Sequence, residues 1–365
     1  MKGLLRMIGK ILLGLIAVLV IVIGIFILVC VVTGSGKIKQ FTDDNGNVLE
    51  NSVAEKIYLD VNGIKNGMII RGKNTNNPVM LFISGGPGVP QYWMNDTYKN
   101  DIEDDFTVCW WDYRGEGLSY DSKINPNDIT KEQLTADAEV IINYLKERFG
   151  AEKVYLMAHS GGTMLGLNIA KKHPELIYCY FGMGQVANEG YGRHEAGYYF
   201  MKDIFEKNGD TKNLKKLESM IETVDGHIVL NKKYHDGHWE GMLLKAGCAT
   251  TKDMKSDATG IFFPQMFSHC YTLSEKINYW KGKSLLSKSV YFNEASASVE
   301  DFSYEVPVIF LSGTYDYTTP ISNVEKLYEK IDSDGKAFYE FKNSAHSPLW
   351  EENEKAMEVI RSYLK

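Results

Sequence analysis

The stretch Val154-Tyr-Leu-Met-Ala-His-Ser-Gly-Gly-Thr163 is an apolar run that ends in a small-x-Ser-x-Gly turn and passes into a helical pattern. A strand that bends this sharply into a helix presents the serine at its tip, beside the free backbone N–H groups of the helix N-terminus. The bend also forces neighbouring chain close to the backbone, so the residues around the serine must be small. Gly162 meets that need on one side, and Ala158 stands on the other where glycine is more usual. A serine here would also suit an ordinary helix N-cap. The rest of the chain separates the two readings.

Compact apolar runs alternate with helical patterns along most of the sequence. Strands are predicted over 55–61 and 68–71, joined through the hairpin signal Asn62-Gly63. Others are expected over 79–84, 106–111, 154–158, 177–182, 306–312 and 337–341. Thr130-x-x-Gln133 has the form of a capping box. Behind it Leu134, Ala138, Ile141, Ile142, Leu145 and Phe149 share one helical face, and Gly150 is placed to end the helix. A further helix is expected from Ser160 to about Lys172, and a closing one over 351–364. This order predicts an α/β protein with a mostly parallel sheet covered on both faces. Between 188 and 300 the rhythm breaks into a helical or irregular stretch, read as a cap inserted over the carboxyl ends of the strands. The expected organisation is therefore an N-terminal segment over 1–36, a core over 37–187 that opens with a polar linker at 37–54, the cap over 188–300, and the rest of the core over 301–365.

The first segment is of a different kind. Ile11 to Val32 carries no charge and follows Lys2, Arg6 and Lys10. That length is enough helix to cross a bilayer and longer than the apolar part of a cleaved signal peptide. Thr33-Gly-Ser-Gly36 offers small residues to a peptidase, but the reading taken is an uncleaved, single-pass signal anchor. The basic residues ahead of it favour a cytoplasmic N-terminus and an extracellular remainder, a bias that Lys37 and Lys39 soften. Without those three N-terminal cations the formal net charge of −7 becomes −10, which speaks against nucleic-acid binding. Of five cysteines, Cys30 falls in the apolar helix, and Cys109 and Cys179 fall in strand-like runs as buried thiols. Only Cys248 and Cys270 are placed to pair.

A serine hydroxyl becomes nucleophilic when a base takes its proton and a carboxylate orients that base. For a serine on this kind of bend the partners follow in the order acid, then histidine. Asp316, in Leu311-Ser-Gly-Thr-Tyr-Asp316, and His346, in Phe341-Lys-Asn-Ser-Ala-His346, each lie just past a predicted strand. Asp332 and Asp334 occupy a turn before the last strand and compete poorly; no other histidine follows His269. Negative charge developing on a substrate oxygen needs fixed donors. The N–H of Gly161, directly after the serine, and that of Gly86, in Ser84-Gly-Gly-Pro-Gly88, are the expected pair. His235 and His238 form no metal set without a third ligand, and the chemistry calls for no cofactor.

Three segments together carry a resemblance: Ser84-Gly-Gly-Pro-Gly88, Asp112-Tyr-Arg-Gly-Glu-Gly-Leu-Ser119, and Ala158-His-Ser-Gly-Gly162 with the later Asp316 and His346. The chain resembles the α/β-hydrolases and, among them, the prolyl aminopeptidase (proline iminopeptidase) group. Ser84 departs from the histidine that usually opens the first segment. The resemblance implies a Ser160–His346–Asp316 triad, an active-site floor formed by the second segment, and cap carboxylates that hold the free amino end of a peptide. Glu189, Glu195, Glu240 and Glu294 are the available carboxylates. Trp93, Tyr191, Tyr198, Tyr199 and Trp239 would either line an apolar pocket or fill the core. The activity so implied is a membrane-anchored aminopeptidase acting on small peptides. A carboxylesterase or lipase with the same triad is the alternative, and a non-catalytic binding protein on the same scaffold is a second one. An epoxide hydrolase or dehalogenase would carry aspartate at position 160.

Overall fold

A computed structural model describes residues 2–187, 192–294 and 301–365. Its centre is an eight-stranded sheet: β1 (Val53–Val61), β2 (Ile64–Gly72), β3 (Val79–Ile83), β4 (Thr107–Asp112), β5 (Val154–His159), β6 (Ile177–Met183), β7 (Val308–Gly313) and β8 (Ala337–Phe341). The spatial order is β1-β2-β4-β3-β5-β6-β7-β8. Strands β1, β2 and β4 pair antiparallel, and every later pairing is parallel. The β1–β2 hairpin turns at Asn62 and Gly63, both at positive φ (50° and 77°), which is why an Asn-Gly pair marks it.

Alternate residues of the central strands point to opposite faces. Leu81, Ile83, Leu156, Ala158 and Phe310 enter one buried cluster, and Met80, Phe82, Tyr155, Met157, Ile309 and Leu311 enter the other. Both faces are therefore covered. On the first lie α2 (Lys131–Phe149), α3 (Gly162–Lys172) and, from later in the chain, Ile321–Lys330. The predicted face of α2 is the buried one, with Phe149 half-buried at its end. Thr130 Oγ1 accepts the Gln133 N–H (3.1 Å), and Gly150, at φ 65°, ends the helix. The Gln133 side chain donates to Asp137 instead of returning to Thr130, so the cap is one-sided. On the second face lies the C-terminal helix, which is shorter than the sequence suggests: Pro348–Glu351 and Asn353–Arg361 are separate pieces.

The N-terminal helix α1 runs Lys2–Thr33, and its stretch Arg6–Thr33 is long and apolar enough to cross a membrane. The polar segment after it is no loose linker. Ile38 is buried, the Gln40 side chain bonds the Ala54 carbonyl at 2.8 Å, and Arg71 stacks on Phe41. Its polar composition hid these few apolar contacts.

Between β6 and β7 the described chain forms α4 (Arg193–Lys207), α5 (Thr211–Met220), a hairpin of Ile221–Val224 with His227–Leu230, α6 (Asp236–Ala246), α7 (Phe263–Phe267), α8 (Leu273–Leu286) and α9 (Val290–Glu294). Tyr198, Met201, Phe205, Leu217, Met220, Trp239, Met242 and Leu243 give this insertion a core of its own. Trp93 is buried in the sheet's second cluster and Tyr199 is exposed. Of the sequence's aromatic candidates, three are core, and Tyr191 lies outside the described residues together with residues 188–190 and 295–300. All five cysteines are free and buried; Cys248 sits in the cap core and Cys270 in the second sheet cluster, so the two do not pair.

The bend after β5 tests the small-residue argument. A Cβ on Gly162 would strike the Ser84 carbonyl oxygen and come within 3.0 Å of Ile83 Cγ2. Gly162→Ala is expected to destabilise the fold by about 1–3 kcal/mol, the usual cost of overpacking against backbone. A urea titration of the full chain in detergent reads this as a lower midpoint, and an unchanged midpoint would mean the site has room.

Candidate active site

Ser160 closes β5 and opens α3 with φ at 51°, a left-handed conformation that costs a non-glycine residue about 1–3 kcal/mol. Two backbone bonds hold it there: its N–H donates to Met183 C=O (2.9 Å), and its C=O accepts the Thr163 N–H (2.8 Å). Asp316 lies in the loop after β7, and His346 in the loop after β8, as the sequence predicts. The structure brings these two together, with His346 Nδ1 2.7 Å from Asp316 Oδ2. The other carboxylate oxygen accepts the N–H groups of Thr318 (3.0 Å) and Thr319 (2.8 Å), and Thr319 Oγ1 donates to Oδ2 (2.7 Å). A carboxyl group with its oxygens so occupied has little freedom to turn.

Ser160 and His346 flank the Met183–Gly184 segment. The serine bonds the Met183 carbonyl, while a Cβ on Gly184 would sit 2.8 Å from His346 Cε1. Among the described residues no hydrogen bond joins Ser160 Oγ to His346, and Nε2 has no other partner. Apo sites often hold this contact open until substrate binds. The His346 loop is clamped from below: Glu351 accepts the N–H groups of Ala345 (3.0 Å) and Ser347 (3.0 Å), one on each side of the histidine. Burial pulls the imidazole toward its neutral form. Asp316, with Glu351 and Glu240 farther off, outweighs that and leaves His346 above the usual histidine value.

Gly86 and Gly161 lie against each other. A Cβ on Gly161 would fall 3.1 Å from the Gly86 nitrogen, and a Cβ on either glycine would meet the ring of Phe292 from α9 (2.5 Å from Gly86, 2.8 Å from Gly161). Neither N–H has an acceptor among the described residues. Tyr291 OH donates to Gly161 C=O (3.0 Å), so two neighbouring cap aromatics touch the expected oxyanion donors. No sequence motif marks Tyr291 or Phe292.

His159 is the residue that sequence reasoning undervalued. Its ring lies 4.6 Å from that of His346. Its Nε2 is 2.6 Å from the His346 carbonyl. A carbonyl only accepts, so Nε2 carries the hydrogen and Nδ1 accepts from the Gln91 amide. Gln91 Oε1 in turn accepts the Gly85 N–H (3.0 Å). A chain of hydrogen bonds thus ties the glycine loop to the backbone of the histidine. Burial first, and the neighbouring His346 second, push His159 well below the ordinary histidine value, which keeps it neutral and the chain intact.

Ser84, where the resemblance expects histidine, donates to Glu116 Oε2 (3.0 Å). Glu116 is fully buried, and burial, reinforced by Asp112, drives its carboxyl well above the usual range; burial also raises Asp112, to about 7. Asp112 Oδ2 accepts the Leu118 N–H (2.7 Å), and Arg114 pairs with buried Asp137 (2.7 Å). The segment 112–119 is thus closely packed.

Of the described cap carboxylates, Glu195 is bonded to His227 (3.1 Å), and Glu240 is among the charges that raise His346. Glu189 and the Glu294 side chain lie outside the described residues. His235 and His238 pair through the His235 N–H and His238 Nδ1 (3.4 Å). No group of three metal-ligating side chains is found among the described residues.

Residues 78–353 match the family model described as alpha/beta hydrolase fold. The chain is 29% identical over 305 residues to "Probable aminopeptidase YbaC" of Bacillus subtilis, covering 82% of this chain and 93% of that one. It is 23% identical to the "Proline iminopeptidase" of Saccharolobus solfataricus over 308 residues (81% and 86%). It is 22% identical to human "Lipase member M" over 225 residues (56% and 52%). Among solved structures it resembles Est816, an N-acyl homoserine lactone degrading enzyme, with a TM-score of 0.52 at 15% identity (84% and 100%). It also resembles the CarC serine hydrolase of carbazole degradation, with a TM-score of 0.51 at 16% identity (85% and 98%). At these identities the structures speak for the fold alone.

The buried Glu116 makes a pH prediction. A carboxyl whose folded value is raised binds more protons in the native than in the unfolded chain, whose glutamates titrate near about 4.3. Its contribution is complete below that value and is lost as pH rises toward the folded value. The Glu116 contribution should therefore decline from pH 5 to pH 9, and Glu116→Gln should lose less stability over that range than the parent protein. Thermal denaturation across that range measures it; an equal slope in both proteins would show that Glu116 is ionised when folded.

Proposed function

The chain belongs to the alpha/beta hydrolase fold family, and on that footing we propose that it is a membrane-anchored serine hydrolase that removes residues from the amino end of small peptides. The observation that carries the reading is the Asp316–His346 pair at 2.7 Å, on the same rim of the sheet as a serine held at positive φ. In this mechanism His346 Nε2 takes the Ser160 proton as Oγ attacks the scissile carbonyl. Asp316 keeps the hydrogen on Nδ1 and stabilises the imidazolium. The N–H groups of Gly86 and Gly161 receive the oxyanion. The imidazolium then protonates the leaving amine, and water activated by the same imidazole releases the acyl group and restores the serine. These steps draw on no cofactor.

Two considerations favour an aminopeptidase. Two relatives that match most of the chain carry aminopeptidase or iminopeptidase names. Glu240, a cap carboxylate felt at His346, is suited to receive the ammonium of a free amino end. The lipase-named relative supports an esterase as the second reading, with the same triad and a different occupant under the cap. Ser160 argues against an epoxide hydrolase, which needs a carboxylate nucleophile there.

The anchor is read as uncleaved because Lys276, fully buried, donates to the Cys30 carbonyl of α1 (3.1 Å). Loss of the helix would remove that acceptor. The proposed orientation has the N-terminus cytoplasmic and the catalytic domain outside the cell.

Ser160→Ala is expected to lose labelling by a fluorophosphonate probe and to lower kcat/KM by at least about 10⁴-fold. Undiminished labelling in the folded variant would remove the enzyme readings that rest on Ser160. Unblocked aminoacyl arylamides should be cleaved in preference to N-blocked arylamides and aryl esters; turnover of the esters alone would leave only the esterase.

Glu240→Gln separates the two further. His346 acts as a base only when neutral, so the carboxylates that raise it push the acidic limb of the kcat/KM profile to higher pH. Removing one carboxylate should move that limb to lower pH and raise KM for unblocked substrates. A pH profile that does not move, with KM unchanged, would dismiss Glu240 from the site.

A further inference from the structure

The last turns of α1 do not end in open space. Phe26 is surrounded by three aromatics of the cap: Phe262 (5.9 Å between ring centroids, stacked), Phe263 (6.2 Å, edge-on) and Phe267 (5.8 Å). Phe263 and Phe267 stack on each other at 5.7 Å, and Phe262 contacts Trp280 of α8 at 5.4 Å. One turn farther along α1, Lys276 donates to Cys30 C=O; beyond the helix end, Gly36 N–H donates to His269 C=O (3.0 Å). The cap therefore grips the chain from Phe26, in α1, to Gly36, just beyond it.

The depth of that grip matters. The uncharged run Ile11–Val32 rises about 33 Å as helix, close to the hydrocarbon thickness of a bilayer of about 30 Å. Phe26 lies six residues inside its end, or about 9 Å along the axis. Rings that touch Phe26 cannot all stay on the aqueous side if the run spans the membrane. Phe263 and Phe267 are nevertheless 38% and 39% exposed, so α1 and the cap leave more than a third of each uncovered. Lys255 and Asp257, just ahead in the chain, are exposed and charged, as suits a headgroup layer bordering an apolar patch.

We propose that the aromatic face formed by Phe262, Phe263 and Phe267 is seated in the outer leaflet beside α1, so that the cap contacts lipid directly and is not merely tethered near it. The proposal rests on the reading of α1 as a membrane span. Its occupant is the acyl region of a bilayer, because the face is continuous with the apolar flank of the spanning helix. It also orients the site. Helix α8 holds Lys276 at the anchor, and at its other end Lys283 and Leu286 lie beneath Gly88 of the glycine loop, 2.9 Å from where a Cβ there would be. The lipid contact and the expected oxyanion donors are thus linked by one rigid element.

The test uses the full chain in phosphatidylcholine nanodiscs. All five native cysteines are buried, so Phe263→Cys and Phe267→Cys, made separately, take a nitrobenzoxadiazole label at one position each. Glu152→Cys, exposed just before the amino end of β5 and so at the opposite end of that strand from Ser160, is the control. Lipids carrying a doxyl quencher at acyl carbon 5 should dim the labels at 263 and 267 by at least about twofold and leave the control unchanged, as expected for side chains at the headgroup–acyl boundary. If one variant does not fold, the other carries the measurement. Labels at both positions as bright as the control, in protein that does enter the nanodisc, would overturn the lipid contact and leave the anchor standing. Failure to enter nanodiscs at all would remove the membrane reading and the inference with it.

Discussion

The turn at Ser160 depends on backbone approaching backbone with nothing between. Gly162 touches the Ser84 carbonyl, Gly161 lies against Gly86, and Gly85 comes close enough that a Cβ there would be 3.0 Å from that of Ser160. That approach fixes β5, β3 and the start of α3 relative to one another. It also brings the N–H groups of Gly86 and Gly161, which have no acceptor among the described residues, close to Ser160. The cost is a serine in a left-handed conformation, offset by hydrogen bonds to Met183 and from Thr163. A larger residue at any of these glycines would open the turn and disperse the groups it gathers.

Around that turn the loops are wired to one another more than to solvent. Gly85, Gln91, His159 and the His346 carbonyl form a continuous hydrogen-bonded path. It makes the position of the histidine loop depend on that of the glycine loop. Glu351 secures the same loop from the other side through the N–H groups flanking His346. The cap joins in through Tyr291 and Phe292 over the two glycines, and through Phe200, which stacks on Tyr317 beside Asp316 at 3.9 Å. Cap position and the geometry of the proposed triad are thereby coupled.

Much of this was legible beforehand where a local rule applied. The alternation of apolar runs indicated a parallel sheet, Asn62-Gly63 its hairpin, and Gly150 the end of α2. Asp316 and His346 stood out because each follows a strand directly, where the carboxyl edge of the sheet gathers loops. Glu240 was one of four equal candidates, since which carboxylate nears His346 depends on how α6 is laid over the rim. Gln91 and Glu351 carry no motif at all. The segment 37–54 was taken for a linker because composition averages out the few contacts that Ile38, Gln40 and Phe41 make.

The sequence alone determined the layers of the fold, the apolar N-terminal helix and the order of the proposed catalytic residues, because hydrophobic period and turn chemistry act over a few neighbouring positions. Only the tertiary structure decided which cap aromatics cover Gly86 and Gly161, that His159 bridges two loops, and that Phe26 is enclosed by the cap. Those contacts join residues tens to hundreds of positions apart. Their energy lies in shape and burial, which no short stretch of chain encodes.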